Sequence, residues 1–184
     1  MSPKLDGFHI MFGNKEWGII PSIEVGIHLI ANSINICNKL PSSAVFHSHP
    51  ISLIATASHI KINNSYKELN KILYTQKEGL VTNIPELIGL TKYEPSGSKA
   101  LIKESLAAIN NHRVVIWGHH GVLIREKTIE RCVDLLEYVE DAASFSLRAL
   151  LNPKQFTGLN FVELQKSIKL YKLNPAILEV LRSK

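Results

Sequence analysis

Two short segments of this sequence concentrate imidazoles where a metal ion could bind. The first is His47-Ser48-His49-Pro50. Side chains two apart on a strand point to the same face, so both rings can converge on one ion. Pro50 would end the strand there, at an edge where a site can open. The second is Gly118-His119-His120-Gly121. Glycine on both sides lets backbone pass close to another part of the chain and lets one imidazole project inward. One more histidine would complete the three-ligand set of a catalytic zinc, leaving a fourth position for substrate or water. Spacing alone does not say which of the pair it is. A third signal is Glu24, just after Pro21-Ser22-Ile23. A glutamate in the first turn of a helix suits the helix dipole and by itself needs no further role.

Several elements must position these residues. Phe8–Phe12 and Trp17–Ile20 flank the turn Gly13-Asn14-Lys15 and predict a β-hairpin. Pro21-Ser22 then opens a helix whose buried face is Ile23, Ile27, Ile30, Ile34 and Cys37. Ala44-Val45-Phe46 predicts a short strand leading into the first histidine pair. Ile51 to Ile62 reads as helical, and Ser65 with Glu68 as a capping box for the next helix. Brief strands are expected near Leu80–Thr82 and Leu87–Leu90. Pro95-Ser96-Gly97-Ser98 caps a further helix, and Val114–Trp117 with Val122–Ile124 form a hairpin around the second histidine pair. From Thr128 a long helix presents Ile129, Cys132, Val133, Leu136, Val139, Ala143 and Leu147 on one face. Shorter helices follow around Val162–Leu170 and Pro175–Leu181. Short strands and amphipathic helices interleave throughout, which predicts a layered α/β sandwich.

The 184 residues suit one domain, read as residues 1–184. No apolar run approaches the ~20 residues of a membrane span, and Met1–Asp6 has no apolar core behind its charges, so the expected location is the cytoplasm. Net charge is 21 − 16 = +5. The lysines are scattered, and Lys166, Lys169, Lys172, Arg182 and Lys184 alternate with apolar residues. That pattern predicts a solvated helix face rather than a nucleic-acid surface, although the positive field suits an anionic small substrate. Cys37 and Cys132 are expected as buried structural thiols.

Taken together, Pro-Ser-x-Glu before a helix, His-x-His-Pro about two dozen residues later, and a late His-Gly followed by an acidic amphipathic helix resemble the class II aldolase/adducin family. Within it, the likeness is greatest to the bacterial rhamnulose-1-phosphate aldolases. It runs from about Gly7 to the C-terminus. The resemblance implies an α/β/α sandwich around a mixed, largely antiparallel sheet, and one zinc ion per chain on His47, His49 and His120. His120 is selected over His119 because the family's ligand immediately precedes the glycine. It also implies Glu24 as the catalytic acid/base, Ser22 as a donor to a substrate phosphate, and Glu78 as a second helpful glutamate. The implied activity is cleavage of a phosphorylated ketose by a homotetramer.

The family carries a Gly-Asn-x-Ser loop and a Ser/Thr-Gly loop ahead of the region matching Gly7, so this chain reads as N-terminally short. Ile23 replaces one of the paired hydroxyls that precede the family's glutamate. Four rival readings share parts of the pattern, among them a cupin, which would need a glutamate where Leu53 or Ile54 stands. A JAMM-type zinc isopeptidase also uses His-Ser-His-Pro, but needs an aspartate where Ile60 stands. A sugar-phosphate epimerase would share the metal ligands. An adducin-like binding module would keep the fold and lose the metal.

Overall fold

The computed structural model describes residues 21–37, 44–59, 61–62, 64–173 and 177–182. The hairpin expected between Gly7 and Ile20 lies outside them.

The centre is a four-stranded sheet of β1 (Ala44–Ser48), β2 (Gly89–Thr91), β3 (Val114–Trp117) and β4 (Gly121–Glu126), in the order β1-β4-β3-β2. β4 pairs antiparallel with both β1 and β3, and only β2–β3 is parallel. The sheet is therefore mixed and largely antiparallel, as expected. Alternation along the strands divides the core in two. Ala44, Phe46, Val114, Ile116, Val122 and Ile124 face one side, while Val45, Val115, Trp117 and Leu123 face the other. The second side is covered by α1 (Val25–Cys37) and α5 (Lys99–Ile109), through Ile27, Ala31, Leu101 and Ile109. The first carries α2 (Ile51–Ala57), α3 (Tyr66–Gln76), α4 (Gly79–Asn83), α6 (Ile129–Leu151), α7 (Phe161–Leu170) and α8 (Ile177–Leu181). The result is an α/β/α sandwich. Among the described residues no helix is long and apolar enough to cross a membrane.

Local chemistry starts the helices where the sequence expects. Ser65, Ser98 and Thr128 each accept a backbone N–H from three residues on. The complete reciprocal box, however, is Asn160 with Glu163 at the start of α7. At Ser65 only the serine half is made.

Four expectations are corrected. Leu80–Thr82 is not a strand but part of α4, because Leu80, Val81 and Ile84 enter the core at helical spacing. One turn is too short for periodicity to separate the two states. The helix from Ile51 stops at Ala57, where Ser58 closes it by bonding back to Ile54. Ile23 does not lie on the buried face of α1; it precedes the helix and is 70% exposed. On α6 the buried face is rotated from the expected one. It runs through Cys132, Leu135, Val139, Ala142, Ala143, Ser146 and Ala149, leaving Ile129 and Val133 exposed. Its small residues let α2 approach until the Thr56 hydroxyl donates to the Ala143 carbonyl at 3.1 Å. Cys132 is buried, and burial pushes its thiol up to about 11.

Asn70, fully buried on α3, fastens the chain entering β2. Its amide donates to Ile88 O at 2.9 Å and accepts from Ile88 N at 2.8 Å. Asn70→Leu leaves both backbone groups buried and unpaired, so it is expected to cost on the order of 3 kcal/mol. Urea denaturation would measure this, and a loss below about 1 kcal/mol would show that the bonds are readily replaced.

Candidate metal centre

The site lies at the end of the sheet face covered by α1 and α5. His47 is in β1 with the same facing as Val45, opposite Leu123 in β4. Its Nδ1 lies 2.9 Å from the Val122 carbonyl, the arrangement of an N–H donor, which leaves the Nε2 lone pair free. That nitrogen is 3.1 Å from Nε2 of His49. Two imidazole nitrogens on a tetrahedral zinc, each ~2.0–2.1 Å from it, stand about 3.3 Å apart.

His120 arrives from the turn between β3 and β4. The backbone N–H of His120 bonds back to Trp117 O at 3.0 Å, and His119 takes the left-handed conformation, φ 58°. This turns His119 outward to solvent and His120 inward, so the ligand-bearing atoms of His47, His49 and His120 all lie within 4.8 Å of one another. The glycines serve close approach. A Cβ on Gly121 would stand 2.5 Å from Ser48 O, 2.9 Å from His47 Cε1 and 3.0 Å from His49 Cδ2. The two histidine segments can meet only because nothing projects there.

Glu24 reaches the cluster from the start of α1. Its carboxylate oxygens lie 3.2 Å from His47 Nε2 and 3.0 Å from His120 Nε2, with the side chain only 11% exposed. The Ser22 hydroxyl accepts the Glu24 backbone N–H at 3.2 Å and keeps its own proton to donate. Glu78 stands at the start of α4, a helix packed on the opposite face of the sheet, and is not brought to the histidines.

Burial lowers the pKa of His47, with further lowering from His49 and His120; the Val122 bond and Glu24 act the other way. Burial also lowers that of His120, and Glu24 again opposes it. Both rings are thereby kept neutral near pH 7, the form that binds metal. Three imidazoles with ligand atoms within 4.8 Å of one another fit a divalent ion of the zinc type.

Two neighbours were not visible as site residues in the sequence. Trp117, read only as a strand residue, lies under two of the rings, 4.6 Å from His47 and 5.0 Å from His120 between ring centroids. Its position two residues before the histidine pair, on the His47 side of the sheet, was the available signal. Ser96, read only as part of a helix cap, places its hydroxyl 3.4 Å from His120 Nε2. Gly97 allows this. With φ 72° and a Cβ position 2.3 Å from Ile23 Cγ1, it lets the start of α5 close on the start of α1.

Gly121→Ala is expected to push the Ser48 carbonyl and both adjoining rings apart while sparing the core on the other face. Divalent-ion affinity should fall by roughly 10–100-fold with far-ultraviolet dichroism unchanged. Unaltered affinity in a chelator competition would show that the site tolerates the shift.

The wider comparison agrees with this architecture. Residues 4–147 match the family model for the class II aldolase and adducin N-terminal domain. Rhamnulose-1-phosphate aldolase from Listeria welshimeri is 21% identical over 141 residues, 77% of this chain and 50% of that protein. Rhamnulose-1-phosphate aldolase from Klebsiella pneumoniae is 25% identical over 147 residues, 78% and 51% respectively. The chain thus spans about half the length of these relatives. A sugar-phosphate aldolase from Thermotoga maritima superimposes with a TM-score of 0.63 at 22% identity, over 75% of this chain and 58% of that one. With the family model covering most of its length, this chain belongs to the class II aldolase and adducin N-terminal domain family.

Proposed function

We propose that this chain is a zinc-dependent class II aldolase that cleaves a ketose 1-phosphate, of the rhamnulose 1-phosphate kind, into dihydroxyacetone phosphate and an aldehyde. The observation that carries the reading is the meeting of His47, His49 and His120 within 4.8 Å, with both oxygens of Glu24 against two of them. A cytoplasmic homotetramer acting on a small phosphorylated sugar belongs to the same reading.

His47, His49 and His120 would hold the ion, whose chemistry is Lewis acidity toward a substrate carbonyl. Glu24 would deliver a proton to the carbon that keeps the electron pair when the carbon–carbon bond breaks, and remove it in the reverse direction. Supporting this role, its carboxylate lies within 3.2 Å of ring nitrogens of His47 and His120 and is largely shielded from water. Ser22, at the start of α1 and with no acceptor for its hydroxyl proton among the described residues, would donate to the substrate phosphate, aided by the first-turn N–H groups. An isopeptidase reading has no support once the chain is placed in the aldolase and adducin family. The adducin-like alternative of a binding module is separated from the enzyme by metal content and turnover.

Elemental analysis is expected to find one zinc per chain, lost in His47→Ala and His120→Ala and retained in His119→Ala. Equal loss from His119→Ala would overturn the ligand assignment.

Glu24→Gln should keep zinc content and fold near wild type. Exchange of the α-proton of dihydroxyacetone phosphate with solvent should then fall by roughly 10²–10⁴-fold. Undiminished exchange in that variant removes Glu24 from the mechanism, and a zinc-loaded wild type without exchange favours the binding module.

A further inference from the structure

The three histidines are not held equally. His47 lies within the β1–β4 ladder and is fastened through Nδ1 to Val122. His120 is fixed by a tight turn closed on Trp117. His49 lies one residue beyond the last ladder pair, Ser48 with Val122. It is exposed, and among the described residues its ring has no hydrogen-bond contact except with His47. Sheet pairing therefore does not set its backbone, and the next fixed point is the start of α2, two residues on.

That start has no local cap. Pro50 occupies the N-cap position and makes no side-chain cap bond, so the first N–H groups of α2 would lack partners. Glu140, 88 positions from Ser52 and in the middle of α6, supplies them. Its Oε1 accepts from Ser52 N and its Oε2 from Leu53 N, each at 2.9 Å. A carboxylate accepting two backbone N–H groups makes charge-assisted bonds and also meets the positive end of the helix. Each bond is roughly twice as strong as a neutral one.

We propose that Glu140 is a positioning residue for the metal centre. By clamping the start of α2 to α6, it sets where the His49-Pro50 junction leaves β1, and so where the His49 ring meets His47 and His120. This rests on the metal reading of the site.

The distinguishing control is Thr56. One turn further along α2, its hydroxyl joins the same two helices through Ala143 O, but it does not touch the segment carrying His49. Glu140→Gln keeps the shape and offers only one acceptor where two are needed. The side chain borders a cleft of about 420 Å³ lined by Ser48, Pro50, Leu136, Glu137 and Asp141, so the displaced amide can reach water. The measurements are Zn²⁺ affinity by chelator competition, the visible spectrum of the Co²⁺-substituted protein, and thermal unfolding of the metal-free chain. Glu140→Gln is expected to weaken Zn²⁺ binding about 10–100-fold and to change the Co²⁺ spectrum. Thr56→Val is expected to lower thermal stability while leaving affinity and spectrum as in wild type. Should Glu140→Gln fail to fold, Glu140→Asp, which retracts the carboxylate by one methylene, is held to the same criterion. Wild-type affinity in the Glu140 variant, or equal weakening in Thr56→Val, overturns the positioning role alone. A wild-type protein that takes up no Zn²⁺ overturns the metal reading and this role with it.

Discussion

The pairing of β1 with β4 is the contact on which the site depends. It joins segments more than seventy positions apart in a register that sets His47 against Leu123 and Ser48 against Val122. Because strand side chains alternate, a slip of one residue would turn His47 onto the opposite face, into the apolar layer built by Phe46, Val122 and Ile124. The same slip would break the bond from His47 Nδ1 to the Val122 carbonyl and free the ring tautomer. It would also move the Ser48 carbonyl away from Gly121, the one position at this junction with no side chain in the way. Register, tautomer and close approach are thus one constraint, enforced by the buried β4 and by the packing of a partly buried β1 on both faces.

The two faces of the sheet divide the work. The side bearing α2, α3, α4, α6, α7 and α8 holds the larger apolar layer and the buried, hydrogen-bonded Asn70. The side bearing α1 and α5 is smaller, and at one end it gives way from Val45, Val115 and Leu123 to Trp117, His47 and Glu24. Both of its helices begin there, with Ser22 and Ser96 at the edge of the histidine cluster. Polar groups are tolerated because strands and helix starts end together, and the hydrophobic layer is not asked to surround them. Arg113, before the start of β3, binds Glu86 and Glu126 at the other end of the sheet. Its charges therefore belong to the scaffold rather than to the cluster.

Much of this could be read in the sequence, for identifiable reasons. The histidine pair at positions 47 and 49 was legible because strand periodicity is a local rule, and the glycines around positions 119 and 120 because close approach leaves a compositional trace. The caps at Ser65, Ser98 and Thr128 were legible because capping is settled within four residues. What escaped was set by contacts across the chain. Leu80 and Val81 became helix through packing against α6 and α7. The buried face of α6 turned toward Ala142, Ala143 and Ser146 because α2 needed small neighbours. The grip of Glu140 on α2 spans nearly half the chain, and no local pattern announces it.

The placement of Glu24 bears on whether the cluster merely binds an ion. A glutamate serving only the dipole of α1 gains most by staying in water near the first-turn N–H groups, where its solvation is kept. Here both oxygens leave solvent and lie against two imidazole nitrogens, in a place where burial lowers the pKa of the rings and so weakens any compensating positive charge. Removing a carboxylate from water beside largely neutral rings carries a cost. That cost would fall if His47, His49 and His120 held a divalent cation, because a nearby positive charge favours an ionised carboxylate. Under the proposed reading, a carboxylate not required to complete a three-imidazole set would be available to exchange a proton with whatever binds at the fourth position. A site for an ion alone would be complete with the three rings; the proposed chemistry would need a proton-exchanging group beside them, and the Glu24 carboxylate lies 3.2 Å and 3.0 Å from the imidazole nitrogens of His47 and His120.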